Sequence, residues 1–352
     1  MLALSLVAFV VVFGVIVLVH EFGHFMVARR AGVKVLEFGI GYPPRLKILA
    51  VRDGVEFTLN AIPLGGFVRM LGEDDPSAAG SFASRPARAR IATLLAGPAM
   101  NLVLATLLFL GLLMFAGLAV PTGKILVRSV ATNSPAELAG IMPEDAVVAV
   151  AGQEVKSIAE LAERTQAVLG QEVELSVLRG EQRLGLRLTP RSSPPAGEGA
   201  MGIVISDGYR IERQPLWRAF PLALQWVWGT VVAVVLALVG VLRGVVSPSE
   251  MAGPIGLAQA TGEVARLGLP QLAEFMASIS VNIAFVNLLP LPVLDGGRVV
   301  MVLIEKLRGG RRLAPQREAF AQLASLLLIL MLVLVLSYFD ILRVVSGQRI
   351  LR

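Results

Sequence analysis

Long apolar runs alternate along this chain with short stretches rich in glycine, proline and charge. Residues 2–19 contain a single polar side chain, Ser5. A bilayer-spanning helix needs about 20 apolar residues, so residues 2–28 predict a first span. Ile91 to Gly123 carries no charge and predicts a second span over 91–118, with Pro98 tolerated as an early-turn or kink residue. Pro270–Leu294, charged only at Glu274, and the uncharged Ala319–Tyr338 predict two more. Leu216–Leu242 is uncharged apart from Arg218, and hydropathy alone makes it a fifth candidate. The N-terminal run lacks a positive leading region and exceeds the roughly 7–15 apolar residues of a secretory signal. It therefore reads as a retained helix.

The intervening stretches have other periods. Residues 32–70 are punctuated by Gly39, Gly41, Pro43-Pro44, Gly54, Pro63 and Gly65-Gly66. Between these lie short apolar segments at Val35–Ile40, Leu46–Val51, Val55–Ala61 and Phe67–Leu71. The alternation Val55-Glu56-Phe57-Thr58-Leu59-Asn60 has the period of a strand. Residues 72–90 read as a polar loop. Residues 122–206 are the one soluble-looking stretch, with strands at Lys124–Val130, Ala146–Val150, Val173–Arg179 and Leu184–Leu188 and a helix at Ile158–Leu169. Such a mixture suffices for one small domain.

Composition agrees with a polytopic membrane protein. The chain is 55% hydrophobic, with mean hydropathy +0.73. Its net charge of +6 does not indicate nucleic acid, because the basic residues cluster between apolar runs without interleaved aromatics. Cytoplasmic loops obeying the positive-inside rule explain them. There is no cysteine, so disulfides and thiolate ligands are excluded.

The chemistry concentrates in His20-Glu21-Phe22-Gly23-His24, which holds the chain's only 2 histidines at the end of the first apolar run. Helix positions i and i+4 lie about 40° apart on one face, about 5.4 Å along the axis. Both imidazoles can thus face one metal, and Glu21 stands within reach of a water that the metal activates. The plain alternative is a pair of packing histidines, but ionisable groups at this depth are expensive and mark function. A catalytic zinc has three protein ligands and an open position, so a carboxylate must complete the set. Asp295, in Leu294-Asp295-Gly296-Gly297, is favoured as the polar end of an apolar helix. Glu274 is the rival.

Together these stretches resemble the site-2 protease family of intramembrane zinc metalloproteases, of the regulator-of-sigma-E type. Further matches are Pro63–Val68, Ala96–Asn101, Asn287–Gly297 and Gly253-Pro254-Ile255. The resemblance implies His20, His24 and Asp295 as zinc ligands and Glu21 as general base. It implies that Asn287 positions the substrate or polarises its carbonyl; an interhelical hydrogen bond is the plain alternative. It implies membrane-associated β-hairpins whose edge, around Gly65, Gly66 and Phe67, pairs with an unwound substrate, where the plain reading is a tight turn. It also implies a PDZ domain in residues 122–206, with Gly202–Ile205 lining a peptide groove or forming a plain terminal strand. Sigma-E-type relatives carry two tandem PDZ domains, and this chain has room for one.

One shared zinc constrains topology. His20 and Asp295 must emerge on the same face, so Leu216–Leu242 is not a simple crossing. Trp217, Trp226 and Trp228 suit an interfacial position. Residues 29–90 hold ten Lys/Arg against six acids and residues 298–317 hold six against one, which places both on the cytoplasmic side.

The expected organisation is a polytopic α-helical membrane protein with four transmembrane helices. Its segments are TM1 (1–30), a membrane-associated β region (31–71), a cytoplasmic loop (72–90), TM2 (91–119) and a PDZ-like α/β domain (120–206). A post-PDZ segment (207–269), TM3 (270–297), a loop (298–318), TM4 (319–339) and a tail (340–352) follow. The expected activity is intramembrane zinc (Zn2+) endopeptidase, acting in a bacterial plasma membrane on single-span proteins such as anti-sigma factors or remnant signal peptides. The PDZ domain would dock peptides or substrate tails outside the cytoplasm. A catalytically silent zinc-binding PDZ scaffold and a metal transporter are the competing readings.

Overall fold

A computed structural model describes residues 2–73, 75–245, 247, 251–311 and 314–346. The chain divides into two units, one formed by the segments before 116 and after 214, the other by Ala116–Gln214.

The first unit contains five helices long and apolar enough to cross a membrane by length and composition: Ser5–Arg30, Ala87–Ala116, Leu216–Val241, Leu269–Asn287 and Gln316–Val345. Its elements are α1 (Leu2–Arg30), β1 (Val35–Arg52), β2 (Val55–Met70) and α2 (Ala87–Gly111), the last extended by a π-helical turn. After the inserted unit come α5 (Leu216–Leu242), α6 (Pro254–Leu267), α7 (Leu269–Asn287), α8 (Asp295–Leu307) and α9 (Pro315–Val345).

Helix directions follow from who meets whom. Val12 and Ile16 of α1 pack with Ile279 of α7. Further along, His20 meets Asp295, just past α7. These helices therefore advance together. Asn101 meets His20 while the earlier Thr93 meets His24, so α2 runs against α1. The α1–α2 approach is close because Gly23 offers no side chain: a Cβ there would lie 2.3 Å from the Ala96 carbonyl oxygen. Small residues at such crossings let backbones pack where lipid supplies no hydrophobic drive.

The glycine-punctuated stretch forms two long strands that fold back on themselves, so that four short arms pair side by side. Residues 35–40 pair with 70–66 on one side and, from Glu37↔Glu56 to Ile40↔Leu59, with the start of β2 on the other, while the far half of β1 pairs with that same part of β2 from Arg45↔Asn60 to Arg52↔Val55. Gly66 abuts Leu18, and Gly65, at φ +100°, abuts Val17, which lays β2 against α1.

One expectation needs correcting. Asp295 does not end an apolar helix. That helix stops at Asn287, and Asp295 opens a new one that occupies much of the expected 298–318 loop. Pro290 and Pro292 explain the break, since proline cannot continue the helical ladder. Gly296 and Gly297 then let α8 fold tightly onto the turn; their Cβ atoms would lie 2.2 Å from Leu288 O and 2.1 Å from Leu291 O.

The inserted unit comprises β3 (Leu118–Val130), α3 (Pro135–Leu138), β4 (Ala146–Val150), β5 (Gln153–Glu154), α4 (Ile158–Ala167), β6 (Val173–Arg179), β7 (Gln182–Leu188) and β8 (Ile203–Glu212). Its sheet runs β7-β6-β4-β3-β8, leaving one side of β8 unpaired among the described strands. Ser134 and Ser157 cap α3 and α4 through Glu137 N–H and Glu160 N–H. The core is formed by Ile125, Val127, Val147, Leu161, Leu175 and Val177 among others.

Candidate metal centre

Three side chains from two helices converge on one point. His20 and His24 come from one face of α1, and Asp295 from the first turn of α8. His20 Nε2 lies 3.1 Å from Asp295 Oδ2 and 3.1 Å from His24 Nε2. His24 Nε2 lies 3.3 Å from the same carboxylate oxygen. Ligands about 2.0–2.1 Å from a tetrahedral ion stand about 3.3–3.4 Å apart, so the three atoms are spaced as one face of a zinc site would be. Both histidines are buried, 7% exposed.

The remaining ring nitrogens decide whether these residues fit a metal. His24 Nδ1 lies 2.8 Å from the Thr93 carbonyl oxygen. A carbonyl only accepts, so Nδ1 carries the proton and the Nε2 lone pair points into the site. His20 Nδ1 lies 3.3 Å from the Asn101 amide nitrogen, and Asn101 Oδ1 is buried without a partner. Amide orientation is an assignment rather than an observation. Turned by half a rotation, Asn101 Oδ1 accepts from His20 Nδ1–H, which resolves the orphan and frees the second Nε2 lone pair. Two lone pairs and a carboxylate facing one another at about 3 Å want a cation, and zinc matches this donor set. The outward hydrogen bonds fix the ring orientations.

Gly97 completes the centre from α2. A Cβ at this position would lie 2.4 Å from His24 Nε2 and 2.7 Å from His20 Nε2. The sequence marks out the Ala96–Asn101 stretch but assigns no role to Gly97, Asn101 or Thr93. The available signal was an asparagine and a Gly-Pro pair inside an otherwise apolar helix.

Glu21 lies beside the triad and accepts a hydrogen bond from Val68 N–H of β2 at 3.1 Å. Glu21, Phe67, Val68, Met70, Asn287 and Arg298 line, together with the three metal-facing residues, a cavity of about 280 Å³. Asn287 ends α7, donates to the Ile283 carbonyl at 3.0 Å and lines the cavity. Gly65 and Gly66 stand outside the lining, against α1, while Phe67 is part of it. Glu274 is exposed near the start of α7 and is not in the cluster.

A buried cluster of two histidines and one carboxylate with a neighbouring glutamate, carried by apolar helices, has the donor set of a membrane-embedded zinc hydrolase. Comparison with known proteins makes this specific. The family model described as peptidase family M50 matches residues 8–332. A Clostridium acetobutylicum protein named "putative zinc metalloprotease" is 30% identical over 96% of this chain and 97% of its own length. The zinc metalloprotease RasP of Oceanobacillus iheyensis is 26% identical over 96% of this chain and 99% of its own. The protein of the same name from Geobacillus kaustophilus is 26% identical over 96% and 97%. The chain belongs to peptidase family M50, the site-2 proteases, and is a zinc metalloendopeptidase.

Proposed function

We propose that this protein cleaves single-span membrane proteins within or near their transmembrane segments, with His20, His24 and Asp295 holding zinc and Glu21 acting as general base. The observation that carries the reading is the convergence of three metal-facing atoms beside Glu21 at the end of an apolar helix. Bound zinc supplies Lewis acidity, acidifying water and polarising a carbonyl oxygen. Glu21 takes the proton from the attacking water as the C–O bond forms, then delivers it to the amide nitrogen as the C–N bond breaks. Asn287, at the cavity wall, steadies the scissile carbonyl. The outer edge of β2 at Phe67–Met70 holds the substrate extended by strand addition. A helical substrate hides its peptide bonds, so an extended segment suits the chemistry.

The inserted unit is assigned as a PDZ-like domain outside the cytoplasm, with Gly202–Ile205 beside the unpaired side of β8 as its peptide groove. Substrates would be anti-sigma factors or remnant signal peptides in a bacterial plasma membrane, and the metal centre would lie toward the cytoplasm. The helix directions support four crossings with α5 not a net crossing. Because α7 runs with α1 and against α2, an even number of crossings must separate α2 from α7. Helix α6, at 14 residues, is about 21 Å long and too short to supply the second.

The test is cleavage of a reconstituted single-span substrate, with metal analysis. Glu21→Gln should keep zinc and lower the cleavage rate by at least about 10³-fold. Asp295→Asn should lose both. Unimpaired cleavage by Glu21→Gln sinks the mechanism.

A further inference from the structure

The outer edge of β2 is already occupied by the protein's own carboxylates. Successive backbone N–H groups of a strand point to opposite edges. Leu71 N–H bonds the Lys34 carbonyl at 2.8 Å, so Phe67 and Arg69, of the same parity, face β1. Val68 and Met70 therefore face the cavity. Val68 N–H is held by Glu21 Oε2 at 3.1 Å, and Met70 N–H is held by Glu73 Oε1 at 3.4 Å. The other oxygen of Glu73 accepts from Arg298 Nη2 at 3.0 Å. Arg298 stands one turn beyond Asp295 on α8, and both partners are partly buried, at 28% and 32% exposure.

We propose that Glu73 is a stand-in for a substrate carbonyl at Met70 N–H, and that a docking strand displaces it onto Arg298. The inference rests on the strand-addition reading above and adds to it a residue that controls docking. A carboxylate, like a carbonyl, only accepts, so the two compete for the same donor. The 3.4 Å bond is long for an N–H donor and is readily surrendered. The displaced carboxylate stays paired through its second oxygen, because the Arg298 guanidinium fork has further donors to offer. The same docking step takes Val68 N–H from Glu21, which frees the base as the peptide bond arrives. Glu73 is thus a positioning and specificity residue: only a segment already unwound, with bare carbonyls, can replace it.

The test uses the full-length zinc-loaded protein in vesicles and a single-span polypeptide with an Asn-Pro pair at mid-segment. Glu73→Ala should lower KM about threefold to tenfold, the scale of one long, weak hydrogen bond in competition, with kcat within about twofold. Arg298→Met should raise KM, because the displaced Glu73 then has no partner. The double variant should follow Glu73→Ala, a strong departure from additivity. Hydrogen exchange adds a readout independent of turnover: without substrate, the Met70 amide should exchange faster in Glu73→Ala and the Leu71 amide should not. If Glu73→Ala instead raises KM as Arg298→Met does, the pair is only a strap between β2 and α8. An unchanged Met70 exchange rate overturns the proposal as well. Wild type that cleaves while Glu73→Ala leaves KM unmoved defeats this inference alone. Wild type that cleaves no such polypeptide defeats the strand-addition reading and this inference with it.

Discussion

Both units bury apolar side chains, but the helical unit also gathers polar ones inside and leaves large apolar ones exposed. In the inserted unit, Ile125, Val127, Val147, Leu161, Leu175 and Val177 are all 0–1% exposed, and the charged groups lie mostly outside. In the helical unit, His20, His24, Thr93, Asn101, Ser280 and Asp340 are buried while Leu326, Met331 and Leu334 face outward. The inner polar groups serve one another: Ser280 donates to Asn101 O, and Asp340 accepts from Gly253 and Gly256 N–H. The difference is one of solvent. Water drives apolar groups inward. Lipid offers no hydrogen bonds, so polar groups retreat into the bundle and pair there. A metal centre can then be assembled where water is scarce.

Several substitutions would break or sharpen that contrast. The largest effect should come from Gly97→Ala, which adds a Cβ 2.4 Å from His24 Nε2. Zinc content should collapse and cleavage should fall at least about 100-fold; a variant with full zinc would show that α2 can yield. Next is a paired truncation. Leu161→Ala in the inserted core should cost about 2–5 kcal/mol on urea unfolding of that unit. Leu334→Ala, 69% exposed on α9, should cost below about 0.5 kcal/mol. Equal costs would erase the solvent argument.

Smaller still, Asn101→Leu should weaken zinc affinity about 10–100-fold in metal titrations. Asn101→Asp, which keeps an acceptor for His20 Nδ1–H, should recover part of it. Failure of the acceptor variant to recover any affinity would argue for packing alone.

The smallest effect should be a pH window in the inserted unit. Arg179 forks onto both Asp145 oxygens, at 2.8 and 2.7 Å, and holds this carboxyl below the usual carboxylate range. In the unfolded chain Asp145 protonates near its ordinary pKa of about 3.9. The stabilisation is therefore complete above that pH and drains away as pH falls through the lower folded value. Arg179 is partly exposed, so solvent screening keeps the effect modest. Thermal midpoints at neutral and acid pH should differ less for Asp145→Asn than for wild type.

Much of the metal centre is legible in the chain. The pairing of His20 and His24 on one face needs only helical geometry, and with no cysteine and no further histidine only a carboxylate can join them. Asp295 stands out from Glu274 by its glycine-rich setting. The strands Ala146–Val150 and Val173–Arg179 appear where alternation and turn glycines put them. What escapes is what depends on partners distant in sequence. Thr93, Gly97 and Asn101 look like ordinary residues of an apolar helix until α1 is laid against them. Glu73 looks like one acid in a polar loop until β2 and α8 meet around it.

Local pattern determined the apolar helices, the paired imidazoles with their neighbouring glutamate, and the short strands, because helical and strand periods are properties of consecutive residues. Only the tertiary structure decided that Asp295 starts a helix rather than ends one, that Asn101 and Thr93 stand against the histidine rings, and that Glu73 meets Met70 N–H at the strand edge. Each of these depends on a contact between segments far apart in the chain, and periodicity carries no information about which faces will meet.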